Sequence, residues 1–132
     1  MTAPALDQQY VRIGGEGGVR RLVDRFYDLM EELPAAAAIR AMHPASLAGS
    51  RDKLTWFLTG WLGGPQHYVE RFGHPRLRAR HLAVPIGDAE RDAWMLCMRR
   101  ALEDTVEDRL LVETIAGQLL RVADHLRNRE GG

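Results

Sequence analysis

Apolar residues recur every three or four positions through most of the chain, a spacing that predicts amphipathic α-helices. A short helix is predicted over about 4–11, followed by a glycine-rich stretch over 14–18. The first long stripe then runs to Pro34, which ends the helix because proline lacks a backbone N–H. Its apolar members are Val19, Leu22, Val23, Phe26, Tyr27, Met30 and Leu33.

Three further helical stripes follow that proline. One covers about 47–62 and ends at a Gly-Gly-Pro sequence, a strong helix breaker. The next begins after Gly87, where Asp88 is predicted to cap the helix, and the last runs into a polar tail over 127–132. Their inward residues are predicted to be Leu54, Phe57, Leu58 and Trp61, then Trp94, Cys97, Met98, Ala101 and Leu102, and finally Leu111, Ile115, Leu119, Val122 and Leu126.

No stretch alternates apolar and polar residues over the length of a strand, and β-branched residues are sparse. The segment 63–87 is rich in glycine, proline, histidine and arginine, so we predict short helical pieces there at most. A length of 132 residues fits one hydrophobic core rather than two. We therefore predict an all-α fold of a single domain over 1–132, with four main helices.

The charge balance excludes some classes of partner. Lys+Arg and Asp+Glu each total 18, so the net charge is zero. Proteins that bind nucleic acid or anionic membranes usually carry a basic excess, so both partners are disfavoured. The longest uncharged stretch, 54–69, contains three glycines and a proline and is not predicted to span a membrane. The N-terminal residues lack the pattern of a secretory signal, so we expect a cytoplasmic protein.

Motifs for a zinc site or a reactive thiol are weak in this chain. His67, His74 and His81 are spaced seven apart, but glycine and proline between them interrupt any helix that would align them. The single cysteine, Cys97, lies on an apolar helical face and is expected to pack in the core. The sequence therefore disfavours zinc and offers no disulfide.

Two polar aromatic residues, Tyr27 and Trp94, fall on the apolar stripes of different helices. Each brings a hydrogen-bond donor toward the core, and a buried donor needs a partner. Either the two side chains pair with nearby carbonyl groups, or they point at a polar ligand held in an apolar cavity. The residues alone leave both alternatives open.

A basic segment ends in a histidine beside an apolar run. Arg76, Arg78 and Arg80 precede His81, which is followed by LAVPI over 82–86. Arginine binds carboxylates through paired N–H groups, and an imidazole that faces the core can bind a metal. The combination suits a haem, with one axial histidine and basic groups for the propionates, although a lone histidine is more often structural.

Three strings in this region resemble the group II truncated haemoglobins. They are GGPQHY over 63–68, GHPRLRARH over 73–81 and ERDAW over 90–94. Gly14-Gly15 and Phe26-Tyr27 also fit that family, and the resemblance spans about residues 7–127. It implies a truncated globin-like two-over-two helical sandwich around a b-type haem.

The resemblance also implies how the haem is held. His81 corresponds to the proximal iron ligand, and its other ring nitrogen is expected to donate to a nearby backbone carbonyl. No C-x-x-C-H sequence is present, so the haem is expected to be bound non-covalently. The residues expected near the propionates are Arg80, Tyr68 and Lys53. Those expected to line the macrocycle are Phe57, Ile86 and Met98.

On the distal side, the family uses residues equivalent to Tyr27 and Trp94 as donors to a diatomic ligand. Ser50 falls where ordinary globins carry the distal histidine, with Leu54 one turn further on, and its small side chain leaves an opening for ligand entry. His43 stands where many relatives carry phenylalanine or tyrosine. It is expected either to act as a third donor to the ligand, or to titrate near neutral pH and change the ligand affinity, or to pack against the haem edge as the phenylalanine would.

The resemblance implies a haem protein that reversibly binds O₂, CO, NO or other small ligands, served by an unidentified reductase. A homodimer and the identity of the group at the sixth position of the ferric iron are left open. One alternative is an enzyme at the same iron, with peroxidase-like or NO-oxidising activity. A remote alternative is a helical interaction module without haem, with exposed Trp61 or Tyr10 as its anchor.

Overall fold

The computed structural model describes residues 6–77, 81 and 84–128, and every regular element within these ranges is helical. The elements are α1 Leu6–Ile13, α2 Gly15–Glu32, a 3₁₀ turn Pro34–Ala36, α3 Ala37–Ala41, α4 Ala48–Trp61, α5 His67–Phe72, α6 Asp88–Thr105 and α7 Arg109–His125. The predicted all-α class is confirmed. In the predicted irregular segment, α5 is the one complete short helix among the described residues.

Two helix pairs form the body of the protein. Helix α2 packs against α4, α6 packs against α7, and contacts between α2 and α6 join the pairs. Their inward faces share one apolar core, in which Phe26, Leu58 and Cys97 are fully or almost fully buried. Cys97 is therefore a packing residue, as predicted.

Glycine allows a tight junction between α1 and α2. Gly14 and Gly15 have φ angles of 106° and 64°, in the left-handed region that other residues rarely adopt. A Cβ atom on Gly18 would lie 1.9 Å from the carbonyl oxygen of Ile13. Helix α2 begins four residues before the predicted start at Val19, and Gly18 in its first turn lets it pack closely against the end of α1.

The prediction that Asp88 caps α6 is wrong. Gly87 is the N-cap, and Asp88 is the first helical residue. The N–H of Gly87 donates to Glu90 Oε1 at 2.6 Å, so the carboxylate three residues into the helix serves the cap. Asp88 Oδ1 instead accepts a hydrogen bond of 2.9 Å from Arg127 Nη1.

Helix α4 presents two different faces. Leu54 and Phe57 are half-buried on one of them, whereas Thr55, Leu58 and Thr59 are buried on the other. The hydroxyls of the two threonines donate to the carbonyls of Arg51 and Thr55, at 2.8 and 2.7 Å. Because the helix backbone satisfies these hydroxyls, polar residues occupy core positions that the hydrophobic pattern does not mark.

The first two residues of the predicted polar tail over 127–132 bond to the helical body. Arg127 contacts the start of α6, and Asn128 bonds to the segment that leads from His81 to Ile86.

The proposed anchors of an interaction module are not exposed, since Tyr10 and Trp61 are half-buried against the core. Among the described residues, no helix is both long and apolar enough to cross a membrane.

We predict opposite effects for alanine at two helical glycines. Gly18→Ala forces a methyl group against a backbone oxygen and should lower the free energy of unfolding by roughly 1–3 kcal/mol. Gly117→Ala, where a Cβ would meet no atom within 4 Å, should raise it by about 0.5–1 kcal/mol. Urea denaturation measures both values. A Gly18→Ala variant as stable as the wild type would contradict the proposed close contact.

Candidate functional site

A cavity of about 410 Å³ opens between the helix pairs, a volume within the range typical of cofactor sites. Helices α2, α4, α6 and α7 contribute to its wall, together with the segment around His81. The wall is mostly apolar, and residues such as Leu54, Phe57 and Trp94 are only half-buried because they face this space. The predicted site residues that line it are Tyr27, His43, Ser50, Lys53, Leu54, Phe57, Tyr68, His81, Ile86 and Trp94.

His81 is held in one orientation by its own backbone. Its Nδ1 lies 2.6 Å from the carbonyl oxygen of Leu77, so Nδ1 carries the proton and donates. In the neutral ring, Nε2 then carries a lone pair. Nε2 is therefore the nitrogen that can bind a metal. The expected bond to a backbone carbonyl is present. The ring therefore offers a single nitrogen ligand to the cavity that it lines.

Tyr27 and Trp94 reach the cavity from α2 and α6, and a buried ring positions both. Phe26 packs edge-on against Tyr27 with ring centroids 4.9 Å apart, and it packs against Trp94 with centroids 5.0 Å apart. Phe26 itself is completely buried. The two polar aromatics thus share one rigid support, since a buried aromatic contact of this kind restricts both rings.

Burial controls the protonation of Tyr27. The side chain is 5% exposed, and this desolvation raises the pKa of Tyr27 to about 12. Arg51, whose guanidinium carbon lies 5.8 Å from the ring centroid, opposes the shift. The same arginine donates to carboxylate oxygens of Asp24 and Asp28 and so ties α4 to α2 beside the tyrosine.

His43 lies beside Tyr27 at the edge of the cavity. The two ring centroids are 5.9 Å apart with the planes nearly perpendicular. His43 Nδ1 lies 2.8 Å from the carbonyl oxygen of Ile39, and this bond assigns the proton of the neutral ring to Nδ1. Nε2 of the neutral imidazole is then an acceptor, so a neutral His43 does not supply a third donor through that atom.

The polar side chains expected near the propionates are only partly described. Lys53 and Tyr68 line the cavity, and Tyr68 packs against Phe57 with ring centroids 6.1 Å apart. The ammonium of Lys53 lies 5.8 Å from the ring centroid of Phe72, on the same side of the molecule. Arg80 lies outside the described residues, so the structure gives no position for it.

Met98 was predicted to line the macrocycle, but it is not part of the cavity wall. It is completely buried in the core, one turn beyond Trp94 on α6. A single apolar helical face therefore serves two surroundings: the cavity wall at Trp94 and the interhelical core at Met98. Hydrophobic spacing marks both positions alike.

The sequence reasoning missed part of the wall. These further residues are Glu90 and Arg91 on α6, and Leu119, Val122 and Ala123 with Leu126 at the end of α7. Periodicity does mark three members of the α7 group as inward-facing, but it does not separate cavity from core. Glu90 and Arg91 carry no such signal, because charged residues at the start of a helix are usually explained by capping and the helix dipole.

Comparison with known proteins agrees with this geometry. The bacterial-like globin family model matches residues 8–128. The group 2 truncated haemoglobin YjbI of Bacillus subtilis is 37% identical over 115 residues, which cover 87% of this chain and 85% of that protein. The matched residues include nearly all of the residues that the structure describes.

Solved structures extend the match to three dimensions. The group II 2-on-2 haemoglobin of Agrobacterium tumefaciens has a TM-score of 0.90 and 50% identity, covering 98% of this chain and 99% of that one. The truncated oxygen-avid haemoglobin of Bacillus subtilis has a TM-score of 0.83 and 38% identity, covering 91% and 98%. The two-over-two fold is confirmed, and the alternative of a helical module without haem is overturned. By sequence and by fold, the chain belongs to the bacterial-like globins and, within them, to the haem-binding group II truncated haemoglobins.

Proposed function

We propose that the cavity would hold haem b without a covalent link, with His81 as the protein ligand of the iron and Tyr27 and Trp94 as donors to a diatomic ligand such as O₂. When bound, haem would supply an iron that takes a histidine nitrogen and a small ligand. The observation that carries the proposal is the 2.6 Å contact between His81 Nδ1 and the carbonyl oxygen of Leu77. It leaves Nε2 as the one ligating atom of the neutral ring.

The chain's only cysteine supports non-covalent binding. Covalent attachment of haem in c-type proteins uses the two thiols of a C-x-x-C-H sequence. Here Cys97 is the single thiol, and it is completely buried in the core rather than in the cavity wall. The apolar lining then holds the macrocycle by burial, with Phe57 and Ile86 as contacts.

Lys53 and Tyr68 are the groups we propose for the propionates. An ammonium and a phenol both donate to carboxylates, and both side chains line the cavity. Arg80 stays a predicted third contact on the basis of sequence alone. These charged bonds would fix the haem's rotation in the cavity more than its affinity, which depends chiefly on buried apolar area.

We assign ligand retention to Tyr27 and Trp94, which line the same cavity as His81. Their O–H and N–H groups donate, and a diatomic ligand that gains negative charge on binding accepts such bonds strongly. Phe26 keeps both donors in place, so little side-chain freedom is lost when a ligand is held. The oxygen-avid relative from Bacillus subtilis supports O₂ as the ligand class.

We propose that ligands enter past Ser50 and Leu54 on α4. Both residues line the cavity, and the serine is half-buried, so a small side chain separates this part of the cavity from solvent. His43 is proposed as a packing partner and hydrogen-bond acceptor beside Tyr27 rather than a donor, because its Nδ1 proton already goes to Ile39.

Reversible binding is favoured over peroxidase chemistry by the partner of His81. Peroxidase-type cleavage of an O–O bond benefits from an axial ligand made electron-rich by an anionic partner. His81 Nδ1 donates to the neutral carbonyl of Leu77 instead. A bound ligand would therefore be retained more readily than cleaved. A reductase that returns the iron to the ferrous state, and a cytoplasmic location, stay part of the proposal.

Replacing His81 tests haem ligation directly. With haem supplied during expression, the wild type should show a sharp Soret band that shifts on reduction and again with CO. His81→Ala should lose the five-coordinate histidine spectrum of the ferrous form, because it removes the one ligating nitrogen proposed on that side. His125→Ala, which removes an exposed histidine at the end of α7, should keep the wild-type spectrum. A histidine-type spectrum retained by His81→Ala would refute the assignment.

Replacing Tyr27 tests ligand retention. Tyr27→Phe should speed O₂ dissociation about tenfold or more, because a hydrogen bond to a charged acceptor contributes roughly 1.5–3 kcal/mol. Stopped-flow displacement of O₂ by CO measures the rate constant. Tyr10→Phe removes a hydroxyl from a tyrosine that is not part of the cavity wall and is expected to leave that rate close to the wild-type value. Equal rates in Tyr27→Phe and the wild type would show that Tyr27 does not hold the ligand.

The raised pKa of Tyr27 predicts how retention depends on pH. With a pKa of about 12 instead of about 10, the hydroxyl keeps its proton, and its ability to donate, in solutions two pH units more alkaline than usual. The ratio of O₂ dissociation rates between Tyr27→Phe and the wild type should therefore stay constant from pH 8 to pH 10.5 and fall only as the pH approaches 12. A ratio that falls toward one with a midpoint near pH 10 would contradict the effect of burial.

A further inference from the structure

Asn128, three residues beyond the end of α7, makes four hydrogen bonds to the segment that begins at His81. Its Nδ2 donates to the carbonyl oxygens of His81 and Val84, at 3.1 and 2.9 Å. Its Oδ1 accepts from the N–H of Ile86 at 2.9 Å, and its own N–H donates to the carbonyl of Ile86 at 2.7 Å. One residue thus bonds to a segment more than 40 positions away.

The chemistry of these contacts requires an amide side chain. Two partners are carbonyl oxygens, which need a donor, and one is an N–H, which needs an acceptor. Asparagine offers both at one end of a short side chain, and Asn128 is the chain's only asparagine. An aspartate has the same shape but, when ionised, only accepts, so it would face two carbonyl oxygens without a proton between them.

The segment that receives these bonds also has an internal hydrogen bond. Among its described residues, 81 and 84–86, a hydrogen bond of 3.1 Å runs from the N–H of Val84 to the carbonyl of His81. The His81 ring is tied to Leu77 on one side, and Asn128 binds the His81 backbone carbonyl on the other. Side chain and main chain of His81 are therefore each held by a hydrogen bond.

Asn128 is itself anchored to the rigid helices. The neighbouring Arg127 donates through Nη1 to Asp88 Oδ1 at the first residue of α6, at 2.9 Å. Arg91 Nη1 donates to Asp124 Oδ1 in the last turn of α7, at 2.8 Å. These bonds hold the end of α7 against the start of α6, so the turn that carries Asn128 has a fixed position relative to the cavity.

We propose that Asn128 is a positioning residue for His81: by clamping the backbone of 81–86 to the end of α7, it keeps Nε2 of His81 aimed into the cavity. The inference rests on the proposed role of His81 as the axial ligand. It assigns a function to a position that the sequence marks only as polar tail.

The test compares Asn128→Asp and Asn128→Ala with the wild type as haem-loaded proteins. Resonance Raman spectra of the ferrous form report the iron–histidine stretching band, which depends on how the ring is held. Both variants should shift and broaden this band, and haem transfer to excess apomyoglobin should become about tenfold faster because several hydrogen bonds are lost together. Ile115→Val, a core change in α7 that does not line the cavity, serves as a control for lowered stability and should leave the band in place.

Amide hydrogen exchange separates the clamp from the ligand assignment. Exchange at Ile86 should be faster in Asn128→Ala than in Ile115→Val, because Asn128 Oδ1 protects that N–H, whereas Asn128→Asp keeps an acceptor oxygen for it. A wild type without an iron–histidine band would overturn both the proposed function and this inference. If the wild type has the band, but both Asn128 variants keep its frequency and the wild-type rate of haem loss, the positioning role alone is refuted.

Discussion

The bond from His81 Nδ1 to the carbonyl of Leu77 is the interaction on which the site depends. An imidazole has two nitrogens, and either can ligate a metal, so a histidine beside a cavity is ambiguous until one nitrogen is committed elsewhere. Here a contact of 2.6 Å commits Nδ1 to the protein. The wall of the cavity then carries a fixed lone pair on His81 together with the donor groups of Tyr27 and Trp94.

The two sides of the cavity use different physical means to achieve rigidity. Around His81, hydrogen bonds hold a segment that is described at 81 and 84–86, and Asn128 supplies four of them from beyond the end of α7. On the distal side, ring packing does the same work, since Phe26 contacts both Tyr27 and Trp94 inside the core. Burial also keeps the Tyr27 proton in place by raising its pKa to about 12.

The sequence predicted the helices well because their apolar spacing is regular and their ends carry strong breakers. Pro34 and the glycines at 63–64 stop α2 and α4 close to the expected residues. The prediction from sequence was wrong where a local signal had two interpretations. Asp88 resembles a helix cap but pairs with Arg127, and Met98 shares a face with Trp94 yet lies in the core. Each error depends on what lies across from the residue, which periodicity does not report.

The sequence by itself determined the all-α fold, the inward aromatics and, through the strings that end in His81 and Trp94, membership of a haem-binding family. Only the tertiary structure decided which nitrogen of His81 is free, that His43 presents an acceptor when neutral, and that Asn128 holds the proximal segment. The reason is physical. The buried positions of a helix recur every three or four residues, so they can be predicted from neighbouring positions in the sequence. Hydrogen-bond partners, in contrast, are atoms that come together from distant parts of the chain.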